Sequence, residues 1–517
     1  MARSADAQEP GADWRPGDVH HLLPTANHER ILIKASLRAP RSQPPRLTAG
    51  RRSVLGQRSD SHGLFWLFDL DGLEPDTSYE LGLADGDRVL CDPWPLRTFP
   101  APDAAPERLR LLLYTCAGGH EVMARRGERA FLPLATRQRL LRRGLSFGPD
   151  AVIANGDHVY WDQRTGPDNL GVRSLPAAVE YAGEFDRSLP LLGSANEQVL
   201  KRAVGPQVAD LYRGLLRSVP VFFLQDDHDY FDGDRVWNDV VPFPPDPFMR
   251  RAARASQRLY YPEFLPDPTR PAGLPDASLM DRPPGVGEAF GTLRWGRLFE
   301  ALLYDCRRYM TLKGASGTFV PQTVERWITQ RAAATSVRHL VHVPSVPVGW
   351  TAGKWGEWYP DVLDAEGTLG TTVVKPYWQT GWQRQHDRIL GAASRVPRAA
   401  WFLNGDLHST AEATLTGSSA TDFSANPVHT ALVGALGTNR GWPSRGRGTR
   451  GQLASDLQGT QDLACVEENG FCIADIDANG MTLRFFSWRP TDQQRGEGGE
   501  EAIDRLEPFR SSRWTAS

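Results

Sequence analysis

An apolar run that passes straight into a dense acidic cluster restricts the fold of this chain more than any other feature. V-P-V-F-F-L (219–224) is followed at once by Q-D-D-H-D-Y-F-D-G-D (225–234), which holds five aspartates and one histidine. The run lacks the alternation of a half-buried strand, so it reads as a strand covered on both faces. Like charges crowded at its end repel, and burial makes the repulsion worse. The cluster therefore needs a positive partner or open solvent. Runs of the same kind are L-R-L-L-L-Y (109–114), D-A-V-I-A-N (150–155), F-E-A-L-L-Y (299–304), H-L-V-H-V (339–343) and A-A-W-F-L (399–403). Between them, helices are expected at 128–143, 196–217, 322–335 and 380–396. Covered strands separated by helices are the grammar of an α/β sheet.

A different grammar precedes this region. I-L-I-K-A-S-L-R-A, G-L-F-W-L-F-D-L-D-G-L, S-Y-E-L-G-L-A-D-G and R-V-L-C-D-P-W-P-L-R-T-F are short β-type runs separated by turn residues. They predict a small all-β sandwich at 29–100, and L-E-P-D-T-S-Y-E-L resembles the strand–turn–strand signature of fibronectin type III-like domains. P-A-P-D-A-A-P-E (100–107) is a linker by composition. Residues 1–28 read as a flexible tail and 491–517 as a polar C-terminal tail. The main domain is expected over 108–490, with long inserts near 236–292 and 348–379. Inserts of that length are commonly lids or binding loops.

Composition excludes several functions. A formal net charge of −3 over 517 residues gives no basic field for nucleic acid or an anionic membrane. No apolar run is long enough to cross a bilayer. The N-terminus has no export-type apolar region, and G-R-R-S-V-L-G (50–56) is followed by polar residues where a twin-arginine signal needs apolar ones, so a cytoplasmic location is expected. The five cysteines are odd in number and lack metal-finger spacing, which argues against a disulfide framework.

Four of the apolar runs end in polar clusters: T-C-A-G-G-H (115–120), N-G-D-H-V-Y-W-D (155–162), the acidic stretch above, and N-G-D-L-H-S-T (404–410). Ligands of open α/β sheets bind beyond the carboxyl ends of the strands, so these clusters converge on one rim. Together they supply Cys116, Asp157, Tyr160, Asp226, Asp227, His228, Asp406 and His408. Taken singly, a G-D is a turn, a buried cysteine is core filler and D-D-H is a helix cap. Taken together, carboxylates, imidazoles, a thiolate and a phenolate are the ligands of a multi-metal centre. The missing positive charge is then metal.

The order of these motifs resembles the metallophosphoesterases, and within them the alkaline phosphatase D-like family. That branch shows a strand ending in S-C, then G-D-x-x-Y, W-D-D-H-[DE] and S-G-D-x-H-S; here they read T-C (115–116), G-D-H-V-Y (156–160), Q-D-D-H-D (225–229) and N-G-D-L-H-S (404–409). Y-D-C-R-R-Y (304–309), P-Q-T-V-E-R-W-I and N-G-F-C-I-A-D-I-D (469–477) resemble its secondary marks. The resemblance implies a four-layer αββα sandwich preceded by the small β-domain, with Fe(III) and Ca2+ at the rim. Carried across, Cys116 and Tyr160 bind iron, Asp157 bridges metals and assists catalysis, and Asp227 is favoured over Asp226 as a ligand. Asp406 and His408 complete the site, and His228 meets the phosphate and the leaving group. Where relatives carry an asparagine after D-D-H-[DE], Asp232 or Asp234 stands in, and Gln225 replaces their tryptophan.

The reaction implied is hydrolysis of a small-molecule phosphoester, mono- or diester, by metal-activated water. Arg235 and Arg307 are candidate phosphate clamps, because guanidinium matches phosphate bidentately. The tryptophan-rich insert, with Lys354, is a candidate lid for an aromatic group. The alternative is a non-catalytic metal- or partner-binding protein on the same fold.

Overall fold

The computed structural model describes residues 14–125, 128–161, 180–230, 245–277, 279–311, 317–334, 336–351, 362–363, 369–370, 380–438, 451–454, 457–489 and 499–516. Arg235, Asp232, Asp234, Lys354 and most of the tryptophan-rich insert fall outside these residues.

The N-terminal region is two antiparallel sheets around one core. Strands Val19–Ala26, Ile31–Leu37, Phe65–Leu70 and Gln57–Arg58 form the first, in that order. Arg52–Leu55, Arg46–Ala49, Ser78–Asp85 and Arg88–Val89 form the second, with Trp94–Arg97 also paired to Ser78–Asp85. Leu22, Ile33 and Phe68 of one sheet pack with Leu47, Leu83 and Trp94 of the other. The expected tail is shorter than the sequence suggests, because V-H-H-L-L-P-T-A is the edge strand of the first sheet. Two histidines and a proline hide its apolar pattern, yet His21 is fully buried.

The main domain has two larger sheets. In the first, Val221–Leu224, Ala151–Asn155 and Arg108–Tyr114 run parallel, and Asn469–Asp477, Gly480–Trp488 and Arg510–Thr515 continue it antiparallel. In the second, Phe299–Tyr304, His339–Pro344, Ala400–Asn404 and Val428–Val433 run parallel. Phe290–Trp295 flanks them on one side, and Thr410–Ser418 and Leu457–Val466 on the other, all antiparallel.

Alternate residues of each run serve different layers, which is why the runs are apolar throughout. Leu111, Leu113, Ile153 and Phe222 pack with Ala301, Leu303, Val341 and Trp401 between the sheets. Leu112, Tyr114, Val152 and Phe223 face the helices Leu134–Leu145, Ala195–Val204 and Pro247–Tyr260. Leu302, Leu340, Ala400 and Phe402 face the helices Gln322–Ala334 and Thr380–Ser394. The order is thus helix, sheet, sheet, helix.

Two expectations change in detail. The segment 491–517 is not wholly a tail: Arg510–Thr515 adds a strand, and Trp514 inserts between the sheets with its indole N–H on Glu412 Oε1. R-S-S-R-W-T is too polar to read as a strand; its backbone pairs with Gly480–Phe485, and Trp514 is its one buried residue. The insert near 236–292 contains the helix Pro247–Tyr260, capped by Asp246, whose carboxylate accepts from Phe248 N at 2.7 Å and Met249 N at 2.9 Å. All five cysteines are free and buried. Among the described residues no helix is long and apolar enough to cross a membrane.

Candidate metal centre

Three parallel strands of the first sheet and one of the second end at a common edge, and their following turns interlock. Thr115 Oγ1 donates to Asn155 O at 2.6 Å and accepts from Asp406 N at 3.1 Å, which ties the sheets together there. Gly405 must be glycine for this contact: a Cβ would lie 2.4 Å from Asn155 O. Gly156 turns at φ +84°, and a Cβ would lie 2.6 Å from the Asp226 Cβ. Six non-glycine residues among those described adopt positive φ, and three of them are sequence-predicted ligands: Cys116 (50°), Asp157 (57°) and Asp406 (62°). Such backbone costs about 1 kcal/mol or more per residue, and here it is concentrated where side chains must be re-aimed to one point.

Those side chains converge. Cys116, Asp157 and His408 offer one ligand atom each within 4.8 Å of one another; so do Asp157, Asp227 and His228, and so do Asp226, Asp227 and Asp406. Asp157 and Asp227 each belong to two groups, the arrangement required of side chains that bridge neighbouring cations. The Cys116 thiol donates to Asp157 Oδ2 at 3.3 Å, and the Tyr160 hydroxyl donates to the same oxygen at 3.1 Å. His408 Nε2 lies 3.4 Å from the Tyr160 oxygen. Tyr160 thereby joins the first group.

The electrostatics point the same way. Burial, and then Asp406, push the Asp157 carboxyl up to about 6. Burial first, then the charge of Asp157, push the Cys116 thiol and the Tyr160 phenol up as well. Two protons thus converge on one buried carboxylate oxygen. A cation at that point favours the charged form of all three groups and reverses each shift. Thiolate, phenolate, carboxylate and imidazole are donors to a trivalent or divalent transition metal, and the all-carboxylate group Asp226, Asp227, Asp406 suits a hard cation. The residues present fit the group.

Arg307 sits inside this centre and not at its mouth. Its side chain is fully buried, with Nε 2.8 Å from Asp226 Oδ1 and Nη2 3.1 Å from Asp406 Oδ2. It neutralises two carboxylates that face each other across the sheets. The imidazoles are the more exposed members of the centre. His228 is the half-buried member, its ring centroid 4.1 Å from that of Tyr160 and its backbone N–H on Asp157 Oδ1 at 3.2 Å.

Four residues that support the ligands escaped sequence reasoning. Asp229 Oδ2 accepts from Asp157 N and Asp226 N, both at 2.9 Å, while Oδ1 accepts from His158 N at 3.0 Å and Val159 N at 2.9 Å. One carboxylate thus shapes two ligand-bearing turns. Gln207 Oε1 accepts from Gly119 N and Tyr160 N, both at 2.8 Å. Arg137 Nη1 donates to the carbonyls of Ala117, Gly118 and Gly119 at 2.8–3.0 Å. Asn404, second in sequence to its own Gly-Asp, accepts from Val348 N at 3.0 Å and donates to Ala431 O at 2.8 Å. Asp229 and Asn404 left traces, as the last acid of D-D-H-D and the first residue of N-G-D-L-H-S. Arg137 lies on the helix Leu134–Leu145 and Gln207 in the turn after Ala195–Val204, where nothing in the pattern distinguishes them from surface residues.

No protein-family model and no curated protein matches the sequence. Solved structures do. PhoD aligns over 99% of this chain and 92% of its own, with a TM-score of 0.62 and 12% identity. The purple acid phosphatase PPD1 from yellow lupin (Lupinus luteus) seeds aligns over 90% of this chain and 71% of its own, with a TM-score of 0.53 and 11% identity. The chain therefore has the mixed α/β fold of two metallophosphoesterases, PhoD and a purple acid phosphatase.

Proposed function

We propose that the chain is a metal-dependent phosphoesterase of the alkaline phosphatase D type, acting on small phosphomonoesters or phosphodiesters. The observation that carries this reading is the sharing of Asp157 between two ligand groups, one with Cys116 and His408 and one with Asp227 and His228, at the strand ends of this fold. Cys116, Asp157, Tyr160 and His408 would hold a ferric ion. Asp227, with Asp226 and Asp406, would hold calcium or another hard cation. Bound there, the ions supply Lewis acidity and a water of lowered pKa.

The chain's own groups do the rest. Arg307 holds Asp226 and Asp406 in register, so that their carboxylates are fixed before substrate arrives. His228 at the mouth hands a proton to the leaving oxygen, or hydrogen-bonds to it, and its backbone bond to Asp157 fixes where that imidazole stands. Phosphoryl transfer needs positioning and charge more than covalent chemistry, which is what a rigid buried centre provides. Asp406→Asn, measured on an aryl phosphate with circular dichroism as a fold control, is expected to lose hydrolysis at least 100-fold while staying folded. Retained turnover would remove Asp406 from the site. Mono-aryl against bis-aryl phosphate separates the two substrate classes.

A further inference from the structure

The N-terminal sandwich is joined to the acidic turn by a continuous row of buried opposite charges. Lys34, on the sandwich strand Ile31–Leu37, places Nζ 3.1 Å from Glu263 Oε1. Arg282 Nε lies 2.8 Å from the same oxygen, and its Nη2 lies 3.0 Å from Glu288 Oε1. Glu288 Oε2 meets Arg308 Nη1. Arg308 then donates from Nη2 to Gln225 Oε1 at 2.8 Å and from Nε to the Tyr230 hydroxyl oxygen at 2.9 Å. Gln225 and Tyr230 flank Asp226–Asp229 on either side. The side chains of Lys34, Glu263, Arg282, Glu288 and Arg308 are at most 2% exposed.

The row ends on the ligands themselves. Tyr230 donates to Asp305, and Asp305 Oδ1 accepts from Arg307 N at 2.9 Å and Arg308 N at 3.0 Å. Arg307, one residue before Arg308, is the cation on Asp226 and Asp406. Glu263 lies between Lys34 and Arg282, and Glu288 between Arg282, Arg254 and Arg308, so removing Lys34 leaves Glu263 with Arg282 alone and shifts the balance of buried charge along the row. None of these side chains from Lys34 to Arg308 belongs to the groups that could hold a metal.

We propose that the sandwich is a working part of the metal centre, and that Arg308, held by Glu288, Arg282, Glu263 and Lys34, is the positioning residue of the Asp226–Asp229 turn. Docking of the sandwich completes the row; the row fixes both ends of the turn; the turn fixes Asp227 and His228. This rests on the metal-centre reading above. Its consequence is that a substitution on the sandwich face that packs against the main domain, remote in sequence from every ligand, loosens the metal.

The test uses the full-length, metal-loaded protein and two readouts that do not depend on activity: release of metal to a chelator, and hydrogen exchange of peptides covering 225–230. Lys34→Met is compared with Arg41→Met, which removes an arginine of the same sandwich that pairs with Asp18 at 2.7 Å, away from the row. Lys34→Met is expected to speed metal release about tenfold and to speed exchange over 225–230, while Arg41→Met leaves both as in the wild type. Equal behaviour of the two variants, or no change with Lys34→Met, overturns the proposal. Should Lys34→Met not fold, Tyr230→Phe removes one hydroxyl at the inner end of the row and is held to the same two outcomes. Wild-type protein that keeps metal yet hydrolyses no phosphoester would end the phosphoesterase reading and leave these measurements standing.

Discussion

Asp229 shows how much of this centre depends on a side chain that touches no substrate. Its four hydrogen-bond partners are all backbone donors, so an amide in its place puts an N–H against an N–H on one side. Asp229→Asn is therefore expected to lower stability by about 2–3 kcal/mol, the penalty for a buried polar group left unmatched. Because both ligand turns lose their common acceptor, metal content should fall with it; denaturant unfolding and elemental analysis read the two effects. Unchanged metal content would mean that the turns hold their shape without it. Cys116 is the second residue-scale test. Serine is of similar size but its hydroxyl ionises far less readily than a thiol, so Cys116→Ser should lower the metal held in the proposed site while the fold persists, as elemental analysis reads. At this scale the sequence was informative: Cys116, Asp157, Tyr160, Asp226, Asp227, His228, Asp406 and His408 do come together. Arg307 was legible as a charge near the site but not as an internal counter-ion, since its role depends on two aspartates brought from other strands.

The elements that carry the centre are strands whose ends meet closely, and one glycine controls the closest approach. Gly405 lies where the turns of the two sheets touch; an added methyl would stand 2.4 Å from Asn155 O and 2.7 Å from Thr115 Oγ1. Neither neighbour is a flexible side-chain end. Gly405→Ala is expected to cost about 1–3 kcal/mol through overpacking and to spread the two sheets apart at the rim. Thermal unfolding reads the first effect and loss of bound metal the second. Wild-type values for both would show that the turns have slack. The strands themselves were readable because both faces are covered, which makes their apolar runs continuous. Val19–Ala26 and Arg510–Thr515 were not: in the first, His20, His21 and Thr25 interrupt the apolar run although His21 and Thr25 are buried, and in the second Trp514 is the one buried residue. Assignment of runs to two sheets was also beyond the sequence, because alternate residues of every run are apolar for different partners.

Across the whole molecule, buried histidines set the response to acid. Burial lowers His21, His342 and His386 to about 3 and His158 to about 4. An unfolded histidine takes its proton near 6.5, so below that pH the unfolded chain binds the additional protons. The stabilisation is complete above about 6.5 and is lost progressively as pH falls toward 4, by at most about 1.4 kcal/mol per pH unit for each histidine. Buried carboxyls run the other way in the metal-free protein: burial raises Asp157 to about 6 and raises Asp229, Asp305 and Asp150 as well, so the folded protein gains stability through them as pH falls, which offsets part of the histidine loss. Denaturant unfolding of metal-free wild type and His342→Phe at pH 7.5, 6 and 5 isolates one ring: the wild type should lose more stability toward pH 5 than the variant, and identical pH profiles would contradict the lowering of His342 by burial. His21 also links the units, with Nε2 donating to Tyr260 O on the main domain at 2.8 Å; this bond favours the protonated ring and opposes part of the lowering that burial imposes.

The functional account depends on cations occupying the place where Cys116, Asp157, Asp227 and His408 meet. The most direct measurement is elemental analysis of the purified full-length protein, before and after titration with iron and calcium, alongside an aryl phosphoester panel at neutral and alkaline pH. At least one tightly held metal per chain, lost together with hydrolysis in Asp157→Asn, is the expected result. A folded protein that takes up neither ion would contradict the account.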